Sequence, residues 1–117
     1  MSDVITFYHN PRCSKSRDAL QLLESRGIEP TIVRYLETPP SASELTELVA
    51  KLGIPAHDLV RTGEDIYKAE YKGRQLDDAG WIAAMATHPK LIERPIAVRA
   101  DRAVIGRPPE RVLELLD

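Results

Sequence analysis

The sequence predicts an α/β domain: one small mixed sheet in the order βαβ … ββα, interrupted by a helical insert. Three observations carry that expectation. Two β-branched runs near the start flank a stretch of helical periodicity. The middle of the chain is helical throughout and rich in capping residues. Two further short β-branched runs then lie close together ahead of a last apolar helix. All of residues 1–117 are expected to form a single domain, with the insert over about residues 41–90.

Val4-Ile5-Thr6-Phe7-Tyr8 is β-branched and aromatic and reads as the first strand, stopped by His9-Asn10-Pro11. From Ser14 to Arg26, Ala19, Leu20, Leu22 and Leu23 recur at helical spacing, and Gly27 closes the helix. Thr31 to Leu36 is the second strand, ended by Pro39-Pro40. A strand-helix-strand of this length is a right-handed unit with a parallel pair. In the insert, Ser41 and Glu44 form a capping box ahead of the apolar stripe Leu45, Leu48, Val49 and Leu52, which Gly53 ends. Pro55 to Val60 reads as a short helix. Asp77 or Asp78 caps a segment whose Trp81, Ile82 and Met85 face inward, ending before Pro89. Ile96-Ala97-Val98 and Ala103-Val104-Ile105 form a hairpin around Ala100-Asp101. Pro108-Pro109 then opens a helix carrying Val112, Leu113, Leu115 and Leu116. This order matches the thioredoxin-like arrangement, in which the first strand-to-helix turn bears the reactive cysteine.

Composition narrows the function classes. The 16 basic and 18 acidic residues leave a formal net charge of −2, without the basic surplus a nucleic-acid partner requires. No apolar run approaches the ~20 residues of a membrane span. Met1-Ser2-Asp3 shows no secretory leader pattern. The lone cysteine excludes an internal disulfide and any metal site built from several thiolates, so no metal and no bound cofactor are expected. A cytoplasmic location follows. Arginine outnumbers lysine, and arginine is the residue suited to planar oxyanions.

Cys13 sits in His9-Asn10-Pro11-Arg12-Cys13-Ser14-Lys15-Ser16-Arg17, at the start of the first helix. A helix N-terminus offers unpaired N–H groups and partial positive charge, which favour a thiolate. Arg12, Lys15 and Arg17 add full charges, and such surroundings lower a thiol pKa. The competing reading is a small buried hydrophobe, the usual state of a free cysteine. Cys13 to Arg17 is C-x-x-x-R, too short for the phosphate loop of cysteine phosphatases, and Ser16 stands where a dithiol oxidoreductase carries its second cysteine. With no second thiol in the chain, an outside thiol must complete any turnover. His9 is either an imidazolium that supports the thiolate or a strand-end residue bonded to backbone. His57 and His88 read as surface residues without partners. Arg61, Arg94 and Arg107 each fall just outside a regular element, as solvated charges or, if they converge, as an oxyanion clamp.

The run His9 to Arg17, together with Leu59-Val60-Arg61, Glu93-Arg94-Pro95-Ile96 and Ile105-Gly106-Arg107-Pro108-Pro109, resembles the glutaredoxin-linked arsenate reductase family. The likeness spans the chain and includes the Leu36-Glu37-Thr38-Pro39-Pro40 turn. It implies a thioredoxin-like fold with a helical insert and reduction of arsenate to arsenite, with glutathione as co-substrate and glutaredoxin as partner. It further implies that Cys13 is the nucleophile, that His9 tunes it and that the Ser16 hydroxyl hydrogen-bonds the thiolate. Arg61, Arg94 and Arg107 would hold the oxyanion, Arg107 would also favour the thiolate, and Pro95 would follow a cis bond. Ser14-Lys15 in place of the Gly-Thr of plasmid-borne members, and a chain ending at Asp117, resemble the short chromosomal branch. Two other functions fit the same fold: a glutathione-linked thiol oxidoreductase acting on another substrate, and a non-enzymatic regulator of the Spx type. Spx-type members commonly carry C-x-x-C, which Cys13-Ser14-Lys15-Ser16 is not.

Overall fold

The computed structural model describes residues 4–116, so the opening triplet read for a leader lies outside the described residues. The chain divides into two compact units, Met1–Thr38 with Arg94–Asp117, and Pro39–Glu93.

The first unit is built on a four-stranded sheet of order β2-β1-β3-β4. Strand β1 (Ile5–Tyr8) runs parallel to β2 (Thr31–Val33) and antiparallel to β3 (Ile96–Arg99), which pairs antiparallel with β4 (Arg102–Ile105). The register sets Phe7 opposite both Ile32 and Ala97. Alternation along β1 buries Ile5 and Phe7, and these pack with Ala97 against Ala19 and Leu23 of helix α1 (Ser14–Ser25). Each such side chain contributes on the order of 1.5–3 kcal/mol by leaving water. Val112 and Leu115 complete this core from a final 3₁₀ segment, Pro109–Leu116. Arg99 and Arg102 tie that segment to the hairpin by donating to the carbonyls of Leu115 and Glu114 at 2.8 and 2.7 Å. Gly27 ends α1 at φ +76°, with its N–H on the Glu24 carbonyl.

The second strand is shorter than the sequence suggests. Pairing stops at Tyr8↔Val33 because β1 itself ends there, the last ladder bond being His9 N–H to the Val33 carbonyl at 2.9 Å. The chain then turns at Arg34, whose carbonyl accepts from Glu37 and Thr38, and Tyr35 points into the interior. The hairpin turn at Ala100-Asp101 holds Ala100 at φ 55°, a left-handed conformation unusual for alanine.

In the second unit, α2 (Ala42–Leu52) opens on the capping box of Ser41 and Glu44 and closes on Gly53. Its Leu45, Leu48 and Val49 are buried, as are Trp81, Ile82, Ala84 and Met85 of α4 (Asp78–Thr87), against which α2 packs. Asp77, rather than Asp78, is the N-cap of α4, and it accepts from Gly80 N–H at 2.8 Å. The expected short helix is a 3₁₀ turn over Ala56–Leu59; Val60 instead forms a bridge with Ile92. A short helix α3 (Asp65–Glu70) and a 3₁₀ turn at Pro89–Leu91 have no counterpart in the sequence reading. The two histidines do have partners. His57 is exposed but lies 4.8 Å from the Trp81 ring, and half-buried His88 meets Tyr71 edge-on at 6.0 Å. No helix among the described residues is long and apolar enough to cross a membrane.

Candidate active site

Cys13 is the N-cap of α1, in extended conformation (φ −94°, ψ 123°), where β1 has just delivered the chain to the helix start. The loop that holds it is closed by short local bonds. Asn10 accepts Cys13 N–H through its carbonyl at 3.0 Å and Arg12 N–H through its side-chain oxygen at 3.0 Å. The sulfur is buried, with 9% of the residue exposed.

Burial alone would raise the thiol, and it is the largest single influence on it. The net shift is nevertheless downward. The opposing influences are the backbone N–H of Ser16, a hydrogen bond and positive charge from Arg94, and the backbone N–H of Lys15. Cys13 makes no side-chain capping bond of regular geometry, so the first-turn amides act on the sulfur as aligned dipoles. Arg107 places Nη2 3.9 Å from Sγ, at the outer limit for a sulfur contact, while its Nε donates to the Arg94 carbonyl at 2.8 Å. Thus Arg94 is the guanidinium that lowers the thiol, and Arg107 closes the same corner from the segment after β4.

The neighbouring cations Arg12, Lys15 and Arg17 do not act as the sequence suggests. Their side chains are exposed, and Arg17 Nη1 donates to the Pro11 carbonyl at 2.9 Å, bracing the loop. The charge acting on the sulfur comes from residue 94 instead, far away in sequence.

His9 and Ser16 form a buried pair beneath the loop. His9 Nδ1 lies 2.7 Å from Ser16 Oγ, which also accepts Asn10 N–H at 3.1 Å. Burial, then the positive charges of Arg34 and Arg17, lower His9 below its ordinary 6.5. This favours a neutral ring near pH 7 over an imidazolium beside the thiolate. The Ser16 hydroxyl serves His9 and Asn10; what Ser16 offers the sulfur is its backbone N–H.

Pro95 follows a cis bond, and Gly106 N–H donates to its carbonyl at 2.8 Å. A Cβ on Gly106 would stand 2.8 Å from Pro95 Cγ and 3.0 Å from Val112 Cγ1. This glycine lets the segment carrying Arg107 lie against the one carrying Arg94, a requirement the sequence reading missed although Gly106 stood inside one of its motifs.

Arg61 belongs to the second unit. Its N–H donates to the Leu91 carbonyl at 2.7 Å, and Glu93 N–H returns a bond to Leu59 at 2.8 Å, on either side of the Val60–Ile92 bridge. Its guanidinium faces Glu64 Oε2 from Nη1 at 3.4 Å and Glu93 Oε1 from Nε at 3.6 Å. Glu64 was not singled out from the sequence, and Glu93 stood inside one of its motifs with no role of its own.

Fold and site together define a thioredoxin-like protein with one thiol, lowered by amide dipoles and arginine at its first strand-to-helix turn. The chain belongs to the ArsC family, whose model matches residues 8–115. It is 48% identical over 118 residues to an uncharacterized protein of Escherichia coli (strain K12), covering 99% of each chain. It is 46% identical over 114 residues to an arsenate reductase of Haemophilus influenzae, covering 96% of this chain and 98% of that one. The solved structure of an arsenate reductase from Vibrio cholerae superposes with a TM-score of 0.92 at 51% identity, covering 96% and 97% of the two chains.

Proposed function

We propose that this protein is an arsenate reductase, an oxidoreductase that converts arsenate to arsenite through Cys13, with glutathione and glutaredoxin as reductants. The observation that carries the reading is the Cys13 thiol held low by Ser16 and Lys15 N–H and by Arg94, in a chain 46% identical to a protein named for that activity. Arsenate is a dianion near neutral pH, so thiolate attack brings two negative species together. Guanidinium groups and a helix N-terminus are the groups that reduce such repulsion. Arg94 and Arg107 serve this purpose beside the sulfur.

The thiolate forms a sulfur–arsenic bond as one arsenate oxygen leaves as water. An outside thiol is then required, because the chain has no other cysteine. Glutathione supplies it. A disulfide forms between Cys13 and glutathione, its two electrons reduce arsenic(V) to arsenic(III), and arsenite departs. A glutaredoxin thiol then removes glutathione from Cys13. His9 and Ser16 act on this sequence indirectly, by fixing the loop that presents the sulfur. The chemistry is that of a reducing compartment, and the cytoplasm is the location it fits.

The test couples the purified protein to glutathione, glutaredoxin, glutathione reductase and NADPH. Arsenate-dependent NADPH loss that disappears in Cys13→Ser is the expected result. Turnover of mixed disulfides with none of arsenate overturns the assignment in favour of a thiol oxidoreductase with another substrate.

A further inference from the structure

A groove of about 580 Å³ lies between helix α1 and the start of the final 3₁₀ segment. That volume falls within the range of small-ligand clefts. Both walls belong to the first unit, where α1 packs against the final segment. Lys15, Asp18, Leu22 and Ser25 line one side, at the three- and four-residue spacing that sets side chains on one helix face. Pro109 and Glu110 line the other. The groove starts beside Cys13. The backbone N–H of Lys15 acts on the sulfur, and Pro109 closely follows Arg107, whose Nη2 is 3.9 Å from Sγ. Half-buried Leu22 and Pro109 supply apolar surface, while the charges around them are of both signs. The side chains of Lys15, Asp18 and Glu110 are exposed, and among the described residues none of them makes an ion pair or a hydrogen bond.

The chain has one cysteine, so the thiol that completes its turnover comes from outside and must reach that sulfur. Two carboxylates repel a free oxyanion, and an uncharged thiol makes no use of the three charges. A zwitterion satisfies both signs at once. We propose that the groove binds the incoming thiol and selects a short peptide-like one, with Lys15 on a carboxylate and Asp18 and Glu110 on an ammonium group. This rests on the reading that an outside thiol such as glutathione reduces the Cys13 adduct, and it says where that thiol sits. Asp18 lies five residues past Cys13, about 7.5 Å along the helix axis. The γ-glutamyl limb of glutathione spans a similar ~7 Å, equal to two residues of extended chain. Its sulfur then faces Cys13 while its ammonium reaches the two acids.

The experiment measures the rate at which Cys13 reacts with oxidised glutathione, divided by its rate with uncharged hydroxyethyl disulfide. In each reaction the Cys13 thiolate attacks one sulfur, a mixed disulfide forms and one thiolate leaves, which mass spectrometry of the adduct follows. The division removes any change in the reactivity of the thiol itself. Oxidised glutathione carries a net negative charge, so long-range electrostatics alone raises the ratio when an acid near the sulfur is neutralised. Binding in the groove has the opposite sign. Asp18→Asn and Glu110→Gln should each lower the ratio about two- to fivefold, the range of an exposed ion pair. Lys15→Gln should lower it as well. With N-acetylated oxidised glutathione, which lacks the ammonium, the two acid variants should match the parent. A ratio that rises or stays level in both acid variants overturns the groove. Arsenate turnover driven by glutathione in the parent then leaves the reading of the outside thiol intact, and its absence overturns both. Level ratios in all three variants, with slower removal of glutathione from Cys13 by glutaredoxin, assign the groove to a protein partner and also overturn the proposal.

Discussion

Gly106→Ala is the substitution that tests the architecture of the site most directly. The added methyl would meet Pro95 Cγ at 2.8 Å and Val112 Cγ1 at 3.0 Å, with Ala19 Cβ at 3.5 Å. Two of these distances fall short of van der Waals contact. The atoms concerned belong to a rigid ring and to a β-branched side chain inside the core, so neither can swing away. Overpacking of this kind costs about 1–3 kcal/mol. For a domain of this size that corresponds to a melting point lowered by roughly 4–12 °C. Relief must come from moving Pro95 or the segment after β4, and those carry Arg94 and Arg107. The variant should therefore also show a Cys13 thiol that alkylates more slowly at neutral pH than the native one. Differential scanning calorimetry and iodoacetamide kinetics measure the two effects. A melting point within 1 °C or so of native, with unaltered alkylation, would refute the claim that close packing at Gly106 sets the two arginines against the sulfur.

Other outcomes follow from the same geometry. Arg94→Ala should shift the pH profile of Cys13 alkylation to higher pH more than Arg107→Ala does, since Arg94 is the guanidinium that joins the Ser16 and Lys15 amides in lowering the thiol, and Arg107 Nη2 stands 3.9 Å away. Loss of either should slow arsenate reduction by about 2–4 kcal/mol in the barrier, as for an oxyanion donor, and steady-state kinetics check this. Ser16→Ala should destabilise the fold by about 1–3 kcal/mol in urea titration, because a buried His9 nitrogen and the Asn10 N–H lose their partner. Its thiol profile should move less than that of Arg94→Ala, because the backbone N–H of Ser16 survives the change. His9 has a native pKa below its unfolded value of 6.5, so the stability it contributes is complete above 6.5 and is lost as pH falls through the lowered native value. Urea midpoints measured from pH 7.5 down to about 4.5 should fall less steeply in His9→Asn than in the native protein.

Where a signal is local, the amino-acid order carried it. The Ser41–Glu44 capping box spans three residues, and its two bonds form at 3.0 and 3.1 Å as that spacing demands. The turn that presents Cys13 was legible because a β-branched run gives way to helical periodicity within a few residues, and the hairpin at Ala100-Asp101 was legible for a similar reason. Element ends were less so. Strand β2 stops at Val33 although Arg34-Tyr35-Leu36 continues a plausible strand pattern, because its partner β1 has ended. The last helix closes as 3₁₀ after two prolines, a difference of hydrogen-bond partner that apolar spacing does not report.

From residue order alone came the cysteine proposed as nucleophile and the strand-to-helix turn that carries it, both read within a few positions of Cys13, and the lack of a second thiol in the sequence. Only the tertiary structure decided which charges act on the sulfur. The nearby Arg17 turns to the Pro11 carbonyl, while Arg94 acts on the thiol through a sheet in which β3 lies beside β1. The same holds for Ser16, whose amide rather than hydroxyl serves the sulfur, and for Arg61, which meets Glu93 only because Val60 and Ile92 bridge. The physical reason is common to all three. Electrostatic influence depends on distance and orientation in space, and residues close along the chain can face apart while residues eighty positions away come into contact.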